Sequence, residues 1–376
     1  MKKIIIAPDS FKGSLTSMEV ADAIEEGIKK VIPDCELVKT PIADGGEGTM
    51  ETLVGALEGK KIKIKAHDPL MRPIEVEYGL LNDGKIAVIE MAAVSGLPLL
   101  NKEEQNPSTT TTFGTGEIIK DALKRGVRSF LIGIGGSATN DAGTGMLRAL
   151  GFHFLDINEK ETDGTGKSLQ SIYSIDESRV MAELKNVQFT IACDVNNPFS
   201  GPNGAAYVYA PQKGASDKMT KKLDEGMESF RLLIEKEKGI DLNTIPGSGA
   251  AGGLGGGFVA FLNAELKPGI EMVLQTIGFE KHLKNADLVI TGEGKLDKQT
   301  AMGKAPSGIL DAASKMNIPV IAIGGSVEDR ECLLERGFTS LFSTIPNTMS
   351  LKEAMLKETA KRNIIKTTEQ IMKSIE

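Results

Sequence analysis

The chain opens on an apolar run. Ile4, Ile5, Ile6 and Ala7 stand together within residues 3–7, closed by Pro8 and Asp9. Such a run predicts a strand buried on both faces, as in a parallel sheet. The period then changes. Thr16 and Glu19 have capping-box spacing, and Val20, Ile24, Ile28 and Val31 follow at helical intervals. Glu36 to Thr40 returns to strand, with Asp44-Gly45-Gly46-Glu47-Gly48-Thr49 at its carboxyl end. Strand, loop, helix and strand in that order is how an α/β sheet begins.

The carboxyl-terminal part repeats the style. Ala286 to Thr291 predicts a strand followed by the loop Gly292-Glu293-Gly294-Lys295. A helix is expected from Pro306 to Met316, with proline in its first turn. Val320 to Ile323 is another strand, then Gly324-Gly325-Ser326, and Ser350 with Glu353 opens a final amphipathic helix. The middle differs. Lys61–Lys65, Ile74–Leu80 and Ile86–Met91 read as successive strands, the last two joined as a hairpin through Asn82-Asp83-Gly84. Residues 114–153 return to helix, strand, loop and helix around Ser129–Ile134, while Gln188–Cys193 and Ala205–Tyr209 read as short strands. The expected fold is therefore α/β. A flavodoxin-like or Rossmann-like parallel-sheet domain (1–60 and 285–376) carries an inserted mixed α/β domain (61–284), with a cleft between them.

Composition adds one signal and several exclusions. Glycine accounts for 42 of 376 residues, about 11% against a usual ~7%. It gathers at 45–48, 114–116, 133–136 with 143–145, 247–257 and 292–294, mostly beside polar or charged residues. Glycine lets a backbone approach a ligand, and consecutive N–H groups at strand ends form anion-binding nests. A net charge of −7 argues against nucleic acid as a partner. The apolar runs are too short for a signal peptide or a membrane span, so no membrane partner is expected. Cys35, Cys193 and Cys332 are few and scattered, which suits reduced thiols in the cytoplasm.

Standard nucleotide motifs fail. Gly247-Ser248-Gly249-Ala250-Ala251-Gly252 matches G-x-G-x-x-G, but Asn243-Thr244-Ile245-Pro246 precedes it instead of a buried strand. Gly166-Lys167-Ser168 resembles the end of a P-loop, yet Glu161 occupies the place of its first glycine. What remains is a set of loops: Asp9-Ser10-Phe11-Lys12-Gly13-Ser14; Gly135-Gly136-Ser137-Ala138-Thr139-Asn140-Asp141; Asp194 with Asn196-Asn197; Lys213 in Pro211-Gln212-Lys213-Gly214; and Glu293, Lys295, Asp297 and Lys304. The Asn140-Asp141 pair is placed to face a metal. Phosphate cradles, carboxylates for Mg²⁺, cations for developing charge and a positioner for an acceptor hydroxyl are the parts phosphoryl transfer needs. Two other readings stay open on the residues alone: an NAD-dependent oxidoreductase of a small hydroxy acid, and a non-catalytic sugar-acid or nucleotide-binding protein.

At these same residues the chain resembles the bacterial type 1 glycerate kinase family. The matching stretches include Ala7-Pro8-Asp9-Ser10-Phe11-Lys12-Gly13-Ser14-Leu15, Ala43-Asp44-Gly45-Gly46-Glu47-Gly48-Thr49 and Glu90-Met91-Ala92. Further ones are Gly133-Ile134-Gly135-Gly136-Ser137-Ala138-Thr139-Asn140-Asp141, Pro211-Gln212-Lys213-Gly214-Ala215, Gly249-Ala250-Ala251-Gly252-Gly253 and Ile290-Thr291-Gly292-Glu293-Gly294. Two departures stand out: Ala142 and Met71 occupy positions where the family pattern leads one to expect glycine.

The resemblance implies ATP- and Mg²⁺-dependent phosphorylation of D-glycerate in an interdomain cleft, with 2-phosphoglycerate favoured over 3-phosphoglycerate; a homodimer is left open. The expected roles follow from chemistry. Asp44, Asp194 and Asp297 are expected to contact the metal, with Asp44 and Asp194 also candidates for hydroxyl activation. Lys12, Lys213 and Arg72 are expected to hold the glycerate carboxylate or the transferring phosphoryl group. Asp9, Ser10 and Asn140 join Arg72 at the substrate. Gly135, Gly136, Ser137, Gly249, Gly252 and Gly253, with Glu293 and Lys304, are expected to serve the nucleotide.

Overall fold

The computed structural model describes residues 1–346 and 348–375. In chain order the strands are β1 Lys3–Pro8, β2 Glu36–Lys39, β3 Lys60–His67, β4 Pro73–Leu81, β5 Ile86–Glu90, β6 Ser129–Gly133 and β7 His153–Leu155. They continue with β8 Ser174–Asp176, β9 Gln188–Ala192, β10 Glu265–Lys267, β11 Leu288–Leu296, β12 Val320–Val327 and β13 Ser340–Ser343. The architecture is mixed α/β, in two compact units. One comprises Met1–Asp44, Glu51–Ala56 and Ile270–Glu376; the other comprises Gly45–Met50 and Leu57–Gly269.

The first unit holds a parallel sheet in the order β13-β12-β11-β1-β2. Ile4, Ile5 and Ile6 of β1 are wholly buried, as an apolar strand covered on both faces must be. The capping box forms: the Thr16 hydroxyl accepts from the Glu19 N–H, and the Glu19 carboxylate accepts from the Thr16 N–H. It opens the helix Ser17–Lys29, which packs on the helix Lys357–Ile375 through Gly27, whose missing Cβ admits Thr368. Ser350 and Glu353 form their box too, but the helix it opens stops at Ala354 before Lys357–Ile375 begins.

Here the structure corrects the expected loops. Gly292-Glu293-Gly294-Lys295 and Gly324-Gly325-Ser326 lie within β11 and β12, whose pairing runs on through Glu293↔Gly324 and Lys295↔Ser326. A Cβ at Gly292 would sit 2.2 Å from the Ile323 carbonyl oxygen, so glycine marks close approach of two strands and not a turn.

The second unit carries a six-stranded sheet in the order β10-β9-β6-β5-β4-β3. β3, β4 and β5 run antiparallel, while β5, β6, β9 and β10 run parallel. The β4–β5 hairpin turns through Asn82 and Asp83 with φ of 50° and 52°, the left-handed pair that a tight hairpin demands. Its core is packed with Phe130, Phe154, Phe230 and Phe258. Ala205–Tyr209, expected as a strand, is a helix: the Val208 N–H returns to the Gly204 carbonyl, with Ala205 and Ala206 buried and Tyr207 and Val208 exposed. Five residues are too few to separate the two periods. Among the described residues no helix is long and apolar enough to cross a membrane.

Candidate functional site

Each unit gathers its own group of expected site residues. In the first, β1 and β11 are adjacent parallel strands, and the chain leaves β1 towards β2 on the opposite side. That makes the carboxyl ends of β1 and β11 a topological switch point, where open α/β sheets place ligands. The Phe11 and Leu15 backbones bond to each other across Gly13, which fixes the loop and buries both apolar side chains. Asp9, Ser10, Lys12, Glu293 and Lys304 all line one cavity of about 290 Å³ there.

The electrostatics of this group are strained. Asp9 is only 5% exposed and accepts from the Ser10 N–H at 2.6 Å. Burial, reinforced by the charge of Asp44, pushes its carboxyl up to about 7. Lys12 reaches Asp44 at 3.3 Å. Burial works against its ammonium, but Asp44 and Asp9 outweigh that and raise its pKa. Burial also raises the Glu293 carboxyl, against the Thr300 hydroxyl that donates to it at 2.6 Å and the nearby Lys304. Asp297 faces this group less directly. It caps the short helix Lys298–Ala301 through the Gln299 N–H and pairs with Lys295 at 3.6 Å.

In the second unit the loop after β6 is bonded to a buried cation. Gly135 and Gly136 are exposed, and a Cβ at Gly135 would meet nothing within 4 Å. Lys213, 2% exposed, donates to the Thr139 carbonyl further along the same loop at 2.6 Å and lies 3.4 Å from the Ser137 hydroxyl. Burial pulls its ammonium down to about 7, against the opposing charge of Asp141. Asn140 is fully buried, and neither its amide nitrogen nor its carbonyl oxygen has a hydrogen-bond partner. Unpaired buried amides are costly and call for an explanation.

Asp141 does not face outward as the Asn-Asp pair suggested. Its carboxylate is buried and accepts from the Thr112 N–H and hydroxyl and the Gly143 and Gly145 N–H groups. It holds the loop; it is not open to a cation. The neighbouring Ala251-Gly252-Gly253 run is left-handed throughout. A Cβ at Gly252 would lie 2.1 Å from the Thr139 carbonyl oxygen, so that glycine is already required by packing. Gly249 likewise lies against the Pro198 carbonyl, and Gly253 against Phe199 and Met227. The literal G-x-G-x-x-G follows the 3₁₀ turn Leu242–Thr244, not a strand, which removes the dinucleotide-fingerprint reading of that run.

Two expected residues lie in networks of their own. Arg72 is held by Asp68 through Nε and by Glu104 at 2.7 Å, and also reaches the Leu99 carbonyl. Asp194 is exposed and accepts from the Gly269 N–H at 2.9 Å. Sequence reasoning missed Thr300, Glu104 and Thr112, which are ordinary polar residues that matter through a fold contact. It also missed the apolar wall of the cavity, Ile345, Leu351 and Met355 with Asn363. Only the helical spacing of Leu351 and Met355 signalled that wall.

The profile of the glycerate kinase family matches residues 4–376. A protein named glycerate kinase from Halalkalibacterium halodurans is 49% identical over 370 residues, covering 97% of each chain. One named glycerate 2-kinase from Escherichia coli K12 is 44% identical, covering 94% of this chain and 93% of the other. Among solved structures, a crystal structure from Salmonella typhimurium LT2 that carries the name glycerate kinase 2 superposes with a TM-score of 0.91. It is 41% identical and is matched over 100% of this chain and 98% of that one.

Proposed function

The chain belongs to the glycerate kinase family, and from that premise we propose that it transfers the γ-phosphoryl group of ATP to D-glycerate, with Mg²⁺ as the metal. The reading gives 2-phosphoglycerate preference over 3-phosphoglycerate, in keeping with the name of the Escherichia coli relative. The observation that carries it is the group Asp9, Lys12, Asp44 and Glu293, in which carboxylates and an ammonium crowd together at a strand-end switch point. The resemblance further suggests that the enzyme is cytoplasmic.

The donor chemistry suits Mg²⁺. Asp9, Asp44 and Glu293 offer hard carboxylate oxygens, and the charge of Asp44 helps to raise the Asp9 and Glu293 carboxyls, a repulsion that a cation relieves. Among the described residues no three or more His, Cys, Asp or Glu side chains form a cage for a metal. Mg²⁺ takes one or two carboxylates and finds its remaining ligands in phosphate and water. Asp44 is the first choice as protein ligand, with Asp194 and Asp297 as the other expected contacts. Bound there, Mg²⁺ would neutralise and orient the phosphates.

The remaining roles follow from environment. Asp9 has the pKa of a proton acceptor that works near neutrality, so it would take the proton of the attacking hydroxyl. Lys12 would meet charge on the transferring group. The open Gly135-Gly136-Ser137 loop, with Lys213 bonded to it, would receive an anion, and binding would favour the charged form of that lysine. Arg72 and Asn140 would serve the glycerate carboxylate and hydroxyls. A coupled ADP-release assay across small hydroxy acids, with and without Mg²⁺, tests the reading. Signal with D-glycerate and Mg²⁺ is expected, and no signal with D-glycerate overturns it. Phosphorus NMR of the product distinguishes the 2- from the 3-phosphate.

A further inference from the structure

The cavity at the β1–β11 switch point has two chemically different ends, and the reacting groups account for only one. One end carries Asp9, Lys12, Glu293 and Lys304. The other is formed by Ile345, the short helix Leu351–Ala354 with Met355, and the flank of the helix Lys357–Ile375 at Asn363. Leu351 is 66% exposed and Met355 41% exposed, so two large apolar side chains stand in solvent beside a charged floor. Glycerate has no use for them. It is a three-carbon acid with a carboxylate and two hydroxyls, and it presents almost no apolar surface.

A ligand suited to both ends has a flat, largely apolar body with a polar edge, joined to an anionic tail. The volume, about 290 Å³, is at the lower limit of small-ligand pockets. It fits a nucleoside whose phosphates extend out of the cavity. Asn363 is 8% exposed, and its amide nitrogen contacts the sulfur of Met349, a weak acceptor that leaves the amide able to meet a base edge.

We propose that this cavity takes the adenosine of ATP, with the base against Ile345, Leu351 and Met355, its polar edge towards Asn363, and the phosphate chain towards Lys12 and Lys304. The assignment rests on the reading of the chain as an ATP-dependent kinase. It adds to that reading a nucleoside site on the unit formed by both ends of the chain. Binding energy comes from base contact on the apolar wall, and orientation comes from the two ammonium groups.

The test is equilibrium binding by titration calorimetry, with ADP and inorganic tripolyphosphate as probes, on the full chain and on the Leu351→Ala/Met355→Ala double variant. Both side chains are largely exposed, so folding should survive, and Leu351→Ser alone provides a milder second variant. The double variant should raise the Kd for ADP about tenfold and leave that for tripolyphosphate within twofold; Leu351→Ser should move ADP in the same direction by less. An ADP Kd within twofold of wild type, or an equal loss for both probes, overturns the assignment. So does a wild-type protein that binds no ADP. The kinase reading is judged separately, by glycerate-dependent ADP release from the wild type. Turnover with unchanged ADP affinity in the double variant sinks only the pocket. Selective loss of ADP affinity without wild-type turnover supports the pocket and sinks the kinase reading.

Discussion

From within the protein, the ammonium of Lys213 donates at 2.6 Å to the carbonyl of Thr139, in the same loop as the exposed Gly135 and Gly136. Burial has pulled that ammonium down to about 7, so its charge is held at little advantage until an anion arrives. A lysine in the unfolded chain titrates near 10.5. Between about 7 and 10.5 the unfolded chain therefore binds more protons, and stability from this group rises with pH. Lys213→Met should abolish that rise. Urea midpoints at pH 7 and 9.5 should converge for the variant relative to wild type, and an unchanged difference would show that Lys213 is charged in the folded state. Anion binding to wild type should also take up protons, seen as a buffer-dependent heat in calorimetry at pH 8, and the variant should lose it.

Asp9 titrates with the opposite sign. Its folded carboxyl is near 7 and its unfolded value is 3.8, so the folded state holds the proton more tightly. Stability from this group is present below about pH 4 and is lost as pH rises through 7. Asp9→Asn keeps an oxygen for the Ser10 N–H and removes the buried charge. Above pH 7 the variant should be more stable than wild type, by at most about 4 kcal/mol. Its turnover should fall at least about a hundredfold, as expected for a lost preorganised contact. Wild-type kcat/KM should rise with pH through an apparent pKa near 7. If Asp9→Asn retains that profile and rate, Asp9 is not the proton acceptor.

Asp194 separates structure from chemistry in the second unit. Its carboxylate accepts from the Gly269 N–H, a bond that an amide oxygen can also accept. Asp194→Asn should therefore melt within about a degree of wild type while kcat drops by about a hundredfold or more, the scale of one transition-state contact. Near-wild-type turnover removes Asp194 from the mechanism. A large loss of stability would instead make its role structural.

How much of this was legible in the sequence depends on which physical signal each residue sends. The buried run Ile4–Ala7 and the Thr16/Glu19 box are local, and both formed as read. Gly292–Gly294 and Gly324–Gly325 were misread as loops because glycine's default meaning is a turn. At Gly292, Gly324 and Gly325 the actual cause, two strands approaching too closely for a Cβ, exists only after β11 meets β12. The same holds for Asp141. Its sequence neighbours suggested an open carboxylate, but Thr112, 29 residues away, closes it. The apolar wall at Leu351 and Met355 sent a signal that pointed the other way, since amphipathic spacing normally means burial and here the side chains stay exposed.

The two departures from the family's glycine pattern share one physical feature. Met71 has φ of 63° and Ala142 has φ of 54°, both in the left-handed region where a side chain is strained. That strain costs about 1–2 kcal/mol. Glycine would relieve it, though at about 0.5–1 kcal/mol of added chain entropy in the unfolded state. Burial decides the remainder. Met71 is 46% exposed and has little packing to lose, so Met71→Gly should stabilise by about 0.5–1 kcal/mol, raising Tm by about 1–4 °C. Ala142 is fully buried in the core of its unit, and losing its methyl cancels most of the relief. Ala142→Gly should therefore leave Tm within about a degree of wild type. Thermal melts of the two variants check the argument. A lower Tm for Met71→Gly would mean that the side chain contributes packing that outweighs its backbone strain.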